Sequence, residues 1–248
     1  MWYLADITDG EMIHTEASLA GGCLNEDLLR EFASYDIRCP ECVSLTRQDK
    51  APNLYAVPSS FTSFHWSRQY EYTWGILKAD LKPTDICLDA GGGYGIFKYA
   101  LAKRTKKVVV IDKDDSALFK SYKSMQRLEF DNIELINSPI DEYNPPYLFD
   151  KIYCLSVLEH IKTQQERISC LKSLYKMLKP NGAMLFSFDV VVHPGSHTYD
   201  FYIDTSSALE ILGGVGIYDF EFDYSLGAVF DSGCVLNAVC VKATNSPD

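Results

Sequence analysis

The chain has 248 residues, 47% hydrophobic and 13% aromatic, with a formal net charge of −11. That apolar share is ample for a packed core and excludes a disordered chain, and the acidic balance opposes the basic face that nucleic-acid and anionic-membrane binding demand. No apolar run approaches the ~20 residues that cross a bilayer, and the start "MWYLADITDGEM" lacks the basic, then apolar, pattern of a secretion signal, so the sequence reads as a cytoplasmic protein acting on a small molecule.

Residues 1 to about 60 show no regular alternation of elements. "NEDLLREF" carries a capping Asn or Asp followed by Leu28, Leu29 and Phe32 at helical spacing. The connection after it contains "CPEC" (Cys39 to Cys42), half of a zinc motif. No second CxxC or HxxxH follows at finger spacing, so these are read as loop cysteines and no metal is expected, although Cys23 and His14 lie nearby. "SFHWSRQYEYTWGILKADLK" reads as a helix with Trp66, Tyr70, Trp74 and Leu77 on one face, ending before Pro83. Residues 1–80 are therefore expected to form an extension with cap helices, and 81–248 the main domain.

From residue 85 strands and helices alternate strictly. "DICLDA", "KKVVVID", "DNIELIN", "FDKIYCLS" and "AMLFSFDVV" are strands; "GIFKYALAKR", "DSALFKSYKSMQRL" and "QQERISCLKSLYKML" are helices. Continuous apolar strands separated by helices imply a parallel sheet covered on both faces. "YDFEFDYS" and "CVLNAVCVKA" lie too close for a helical crossover and should pair antiparallel at one sheet edge. Cysteines inside these runs, such as Cys87, Cys154 and Cys240, read as small reduced hydrophobes.

"LDAGGGYGIF" places a glycine turn between the first of these strands and its helix, at the carboxyl end of the sheet where such folds bind ligands. The dinucleotide fingerprint G-x-G-x-x-G would require glycine at Ile96. The match is instead D-x-G-x-G-x-G, carried by Asp89, Gly91, Gly93 and Gly95. Asp89 would repel a pyrophosphate but suits an ammonium group, and Asp112, ending "VVVID", can accept hydrogen bonds from both hydroxyls of a ribose.

These residues resemble the class I S-adenosylmethionine-dependent methyltransferases over roughly residues 85–242. "LDAGGGYG" resembles their first motif, "VVVID" the second, "FDKIYCLSVLEHI" the fourth-strand segment and "MLKPNGAMLFS" the entry to the fifth strand. The resemblance implies a Rossmann-like, mostly parallel seven-stranded sheet with helices on both faces, an antiparallel edge strand and an N-terminal cap or lid. It also implies S-adenosylmethionine as cofactor, leaving as S-adenosylhomocysteine. Gly91, Gly93 and Gly95 would line the methionine portion with Asp89 nearby, Asp112 would hold the ribose and Lys113 would lie beside the adenine. The loop at Ser138 to Ile140 would flank the adenine, and Leu155 and Ser156 would lie under the methionine amino group. Pro139 stands where the family often carries an Asp for the adenine amino group, with Asp141 as the nearest substitute.

Methyl transfer is an in-line displacement, so such an enzyme aligns the reactants and excludes water. A hydroxyl acceptor also needs a base, and His193 and His197 in "FDVVVHPGSHTYDFYID" are the candidates, with Tyr199 beside them on the substrate side. The helix before the first strand adds Arg68 for the cofactor carboxylate, and Trp66 and Tyr70 as an apolar substrate wall. The expected function is methyl transfer to an O or N atom of a small molecule in a lidded pocket. The alternatives are an aminopropyl transferase and a non-catalytic S-adenosylmethionine-binding protein; Ile96 and Asp89 oppose a nicotinamide enzyme.

Overall fold

Two strands open the chain where no regular alternation was expected: β1 (Trp2–Thr8) and β2 (Glu11–Ala17) pair antiparallel, Trp2 opposite Ala17 and Thr8 opposite Glu11. The signal was the Asp9-Gly10 pair, a hairpin dipeptide, standing between them. The computed structural model describes residues 2–8, 11–17, 25–35, 66–193, 203–216, 220–229 and 235–245. "CPEC", Cys23, His197 and Tyr199 lie outside the described residues, and for His14, Trp66 and His193 only the backbone is described.

Helix α1 (Glu26–Tyr35) starts at Asn25, whose side-chain oxygen accepts the Leu28 N–H at 3.0 Å. Its apolar side buries Leu28, Phe32 and Tyr35. The Phe32 ring lies 5.5 Å from that of Tyr72 on α2 (Trp66–Leu77) and 6.5 Å from that of Phe97, which opens α3 (Phe97–Ala102). Arg104, just beyond α3, grips Glu31 with both guanidinium nitrogens, at 2.7 and 2.5 Å, so α1 is held by charge as well as by apolar contact.

The run Val108 to Ile111 has no polar side to turn to water, and all four side chains are completely buried. It forms the centre of β4 (Lys107–Asp112), between β3 (Ile86–Ala90) and β5 (Ile133–Asn137), with both pairings parallel. On the other side of β3 lie β6 (Phe149–Leu155) and β7 (Leu178–His193), again parallel. Helices α4 (Asp115–Arg127), α5 (Gln164–Lys176) and α6 (Thr205–Val215) complete the layers, and the short β8 (Ile203–Asp204) pairs with β7. With β9 (Phe220–Val229) and β10 (Val235–Thr244) the path reads β5–β4–β3–β6–β7–β10–β9. The chain leaves β3 toward β4 on one side and returns to β6 on the other, which opens a crevice at the carboxyl ends of these two strands.

The antiparallel strand does not lie at the outer edge. β10 sits between β7 and β9, antiparallel to both. Its Val239, Cys240, Val241 and Ala243 are buried, so it needs neighbours on both sides, whereas β9 carries the exposed Glu221 suited to an edge. Three local expectations also shift. Strand β7 already pairs at Leu178, so "PNG" is an irregularity within the strand, with Asn181 at φ +62°. Leu77 does not share the buried face of α2 and is 47% exposed, because the helix ends there. Helix α6 was not anticipated, although Ala208, Ile211 and Leu212 recur at helical spacing and are buried. No helix among the described residues is long and apolar enough to cross a membrane.

Candidate active site

A cleft of about 1150 Å³ opens at the crevice between β3 and β6. Its floor is the glycine turn. The Gly91 N–H donates to the Ile111 carbonyl at 2.8 Å, tying the turn to β4, and Gly91 sits at φ +73°. A Cβ there would lie 2.5 Å from Val157 Cγ2. Gly92, to which the sequence assigns no role, is required as well: its Cβ would lie 2.4 Å from Asp89 Oδ2. The turn is therefore a cradle that side chains would fill.

Asp89 ends β3 beneath this cradle and is 4% exposed. Burial raises its carboxyl to about 6, with Lys98 opposing the shift and Asp112 reinforcing it. Lys98, on the first turn of α3, is completely buried. Its ammonium donates to the carbonyls of Gly92 at 3.3 Å, Gly93 at 3.1 Å and Gly95. Sequence reasoning missed it, because a lysine in "GIFKYALAKR" reads as the solvent face of an amphipathic helix.

At the far end of β4, Asp112 faces the cleft and its Oδ1 accepts the Asp114 N–H at 2.9 Å. Asp114 in turn caps α4 by accepting from Ser116 and Ala117. Lys113, Pro139, Ile140 and Asp141 line this end.

Below the other wall lies a buried polar network. Glu71, from α2, is completely buried. Its Oε2 accepts from Arg68 Nη1 at 2.6 Å, and its Oε1 accepts from Ser156 Oγ at 2.6 Å and Ser187 Oγ at 2.8 Å. Burial alone would favour the neutral acid, but Arg68 and the two serines outweigh it and hold the carboxyl below its ordinary range. Ser156 sits at φ +49°, and its N–H donates to Ser187 Oγ at 3.0 Å. The network thus joins α2 to the end of β6 and the middle of β7 and presents Arg68, with Leu155 and Ser156, to the cleft.

After β6, Glu159 and His160 belong to a separate 3₁₀ turn, Leu158–His160, to which the sequence assigns no role, and α5 starts after Thr163, as its sequence indicates, with a reciprocal capping box to Glu166. Glu159 lines the cleft with Asp189, and its buried Oε2 has no hydrogen-bond partner among the described residues. Burial and the nearby Asp189 carboxyl raise its affinity for a proton well above the ordinary range. Tyr70 leaves the substrate wall to which the sequence assigned it. It is completely buried in the aromatic core between α2 and the sheet, since that face of the helix packs inward while Arg68 and Tyr72 face the cleft.

A sheet of this order with a glycine cradle at its switch point is a Rossmann-like methyltransferase fold. A methyltransferase-domain family model matches residues 88–184. The ubiquinone biosynthesis O-methyltransferase of Pseudomonas fluorescens is 27% identical over 166 residues, covering 66% of this chain and 68% of that protein. Its mitochondrial counterpart from Schizosaccharomyces pombe is 29% identical over 102 residues, 40% of this chain. The chain spans only 36% of the length of that yeast relative. In fold it is similar to the N-methyltransferase NodS from Bradyrhizobium japonicum in complex with S-adenosyl-L-homocysteine, with TM-score 0.58, 17% identity, and 90% and 98% of the two chains covered. Residues 88–184 thus form a methyltransferase domain of the S-adenosylmethionine-dependent kind, with S-adenosylmethionine as its cofactor. The residues present fit that group: a cradle that a Cβ would fill at Gly91 and Gly92, a buried acid at Asp89 for a cation, and a carboxylate at Asp112 for hydroxyls.

Proposed function

We propose that the protein transfers a methyl group from S-adenosylmethionine to an oxygen or nitrogen atom of a small molecule. The observation that carries this reading is the convergence of Asp89, the glycine cradle, Asp112 and Arg68 on one cleft at the sheet's switch point. When bound, the cofactor supplies an electrophilic methyl group on a sulfonium. Asp89 would hold its ammonium, Arg68 its carboxylate and Asp112 its ribose hydroxyls, with Lys113 and Ile140 beside the adenine. Ser156, locked by Glu71 and Ser187, would keep the floor under the amino-acid end rigid, so that the reacting groups meet in line. Glu159, whose protonated form is favoured by burial and by the nearby Asp189 carboxyl, would face an acceptor molecule from the cleft wall. A base for a hydroxyl acceptor is assigned to His193 or His197 from the sequence, with Tyr199 on the same side. The names of the O-methyltransferase relatives and the N-methyltransferase of like fold support this scope.

The test is calorimetric titration with S-adenosylmethionine and S-adenosylhomocysteine, with NAD as control, followed by transfer of isotopically labelled methyl to a panel of phenols, catechols and amines. Micromolar binding of the sulfur nucleotides and label in one acceptor class would establish the function. Binding of NAD alone would overturn it, and binding with no transfer to any acceptor would leave a binding protein instead.

A further inference from the structure

A completely buried lysine needs a reason. Lys98 does not line the cleft, and the loop of residues 91–95 lies between its ammonium and the cleft. Three carbonyls of that loop, from Gly92, Gly93 and Gly95, turn inward onto Nζ, and Ser121 Oγ donates to the same Gly93 carbonyl at 2.7 Å. In a planar trans peptide the N–H points opposite to the C=O. Holding these carbonyls inward therefore turns the N–H groups of Gly93, Tyr94 and Ile96 the other way, to the side a ligand occupies.

The groups around the ammonium make it more than a clasp. The charges of Asp89 on β3 and Asp112 on β4 act on it electrostatically and favour its charged form. The ring of Tyr99 on its own helix lies 5.4 Å away, and the Tyr72 hydroxyl from α2 lies beside Gly95. An uncharged donor would satisfy the carbonyls but would leave the charges of Asp89 and Asp112 without this cation to offset them.

We propose that Lys98 is a positioning residue for the cofactor: its buried ammonium orients the glycine cradle and offsets the charges of Asp89 and Asp112, so that cofactor affinity depends on Lys98 keeping its proton. This rests on the cofactor reading above. Burial pushes Lys98 down to about 8, against the pull of both carboxyls. The unfolded chain keeps that proton up to the ordinary 10.5, so between these values the folded protein gains stability from this group as pH rises. Affinity for the cofactor falls over the same interval. A merely structural clasp would move stability and affinity together.

The experiment is calorimetric titration of wild type and Lys98→Met with S-adenosylhomocysteine from pH 6.5 to 9.5, with urea unfolding of the free proteins alongside. The ligand's own amine titrates in both and cancels in the comparison. Wild-type affinity should fall by roughly tenfold or more above pH 8, as one required proton is lost. The variant should bind at least about tenfold more weakly at pH 7 and lack that added fall. A folded variant within threefold of wild type, or one with the wild-type pH profile, overturns the proposal. Should the variant not fold, wild type carrying ¹³C-labelled lysine decides: one Cε resonance should titrate near 8 and stop doing so when S-adenosylhomocysteine is bound. No lysine titrating below pH 9.5 overturns it. Wild type that fails to bind S-adenosylhomocysteine at every pH would refute the cofactor reading itself, and the proposal with it.

Discussion

Glu71→Ala would strike the centre of the polar network under the cleft. Three donors end on this one completely buried carboxylate: Arg68 at 2.6 Å, Ser156 at 2.6 Å and Ser187 at 2.8 Å. Removing one partner of a buried ion pair costs about 3–5 kcal/mol. Each serine that loses its acceptor adds about 1 kcal/mol at most, and these losses overlap with the first. We take about 3–5 kcal/mol for the whole, a drop of roughly 6–20 °C in Tm for a protein of this size. Urea unfolding followed by circular dichroism, read as a midpoint shift at constant slope, measures it. Glu71→Gln keeps the volume and one acceptor and should lose about half as much. Arg68→Met combined with Glu71→Leu removes both charges and should recover part of the loss of the single variant. A loss under about 1 kcal/mol for Glu71→Ala would show that the network does not join α2 to the sheet in the way its hydrogen bonds indicate.

Other variants separate cofactor binding from folding. Asp112→Ala should weaken S-adenosylhomocysteine by about 1–3 kcal/mol in calorimetry with little change in stability; unchanged affinity removes the ribose assignment. Gly91→Ala places a methyl group 2.5 Å from Val157 at φ +73°, and should abolish detectable binding while costing about 1–3 kcal/mol of stability in urea. Asp89 prefers its proton more when folded than unfolded, so its contribution is favourable at low pH and is lost as pH rises from 3.8 through about 6. Asp89→Asn should therefore be the more stable protein above pH 6, by up to roughly 3 kcal/mol less what Lys98 loses with it. The gap should close near pH 4, and the variant should bind the cofactor more weakly. His193→Ala or His197→Ala should lower turnover without touching cofactor affinity, and full turnover in both would exclude a histidine base.

What the sequence made legible follows from how local each determinant is. The run Val108 to Ile111 and the glycines after Asp89 are read within a few residues, so the parallel strands and the cradle were in view from the start. Arg68 was placed at the cleft from its position in an aromatic helix, yet Tyr70, two residues on, was placed on the wrong side. Two residues are about half a turn of helix, which separates a cleft wall from a core wall, and only the burial of Tyr70 in the aromatic core decides between them. Glu71, Lys98 and Glu159 were invisible for a common reason. A charged side chain in a helix-like run reads as solvent-facing; the burial of Glu71 follows from partners far along the chain, Ser156 and Ser187, and that of Lys98 from carbonyls of the adjoining turn that no pattern of side chains reveals. The place of β10 inside β9 was equally non-local, because a strand apolar on both faces announces two neighbours without naming them.

The buried thiols give this sheet a clock of its own. Cys87, Cys154 and Cys240 sit on β3, β6 and β10, with Cys170 on α5, all reduced and buried. Burial for Cys87, and a hydrogen bond with Cys170 together with burial for Cys154, hold these protons far too tightly for reaction at neutral pH. An alkylating reagent therefore marks each position only during the moments when its strand or helix separates from its neighbours. Mass spectrometry of pulse-labelled protein would show whether marks on β10 appear in step with those on β3 and β6, or earlier. In the first case the sheet comes apart as one cooperative body; in the second, the antiparallel wing peels away while the cofactor cleft stays whole.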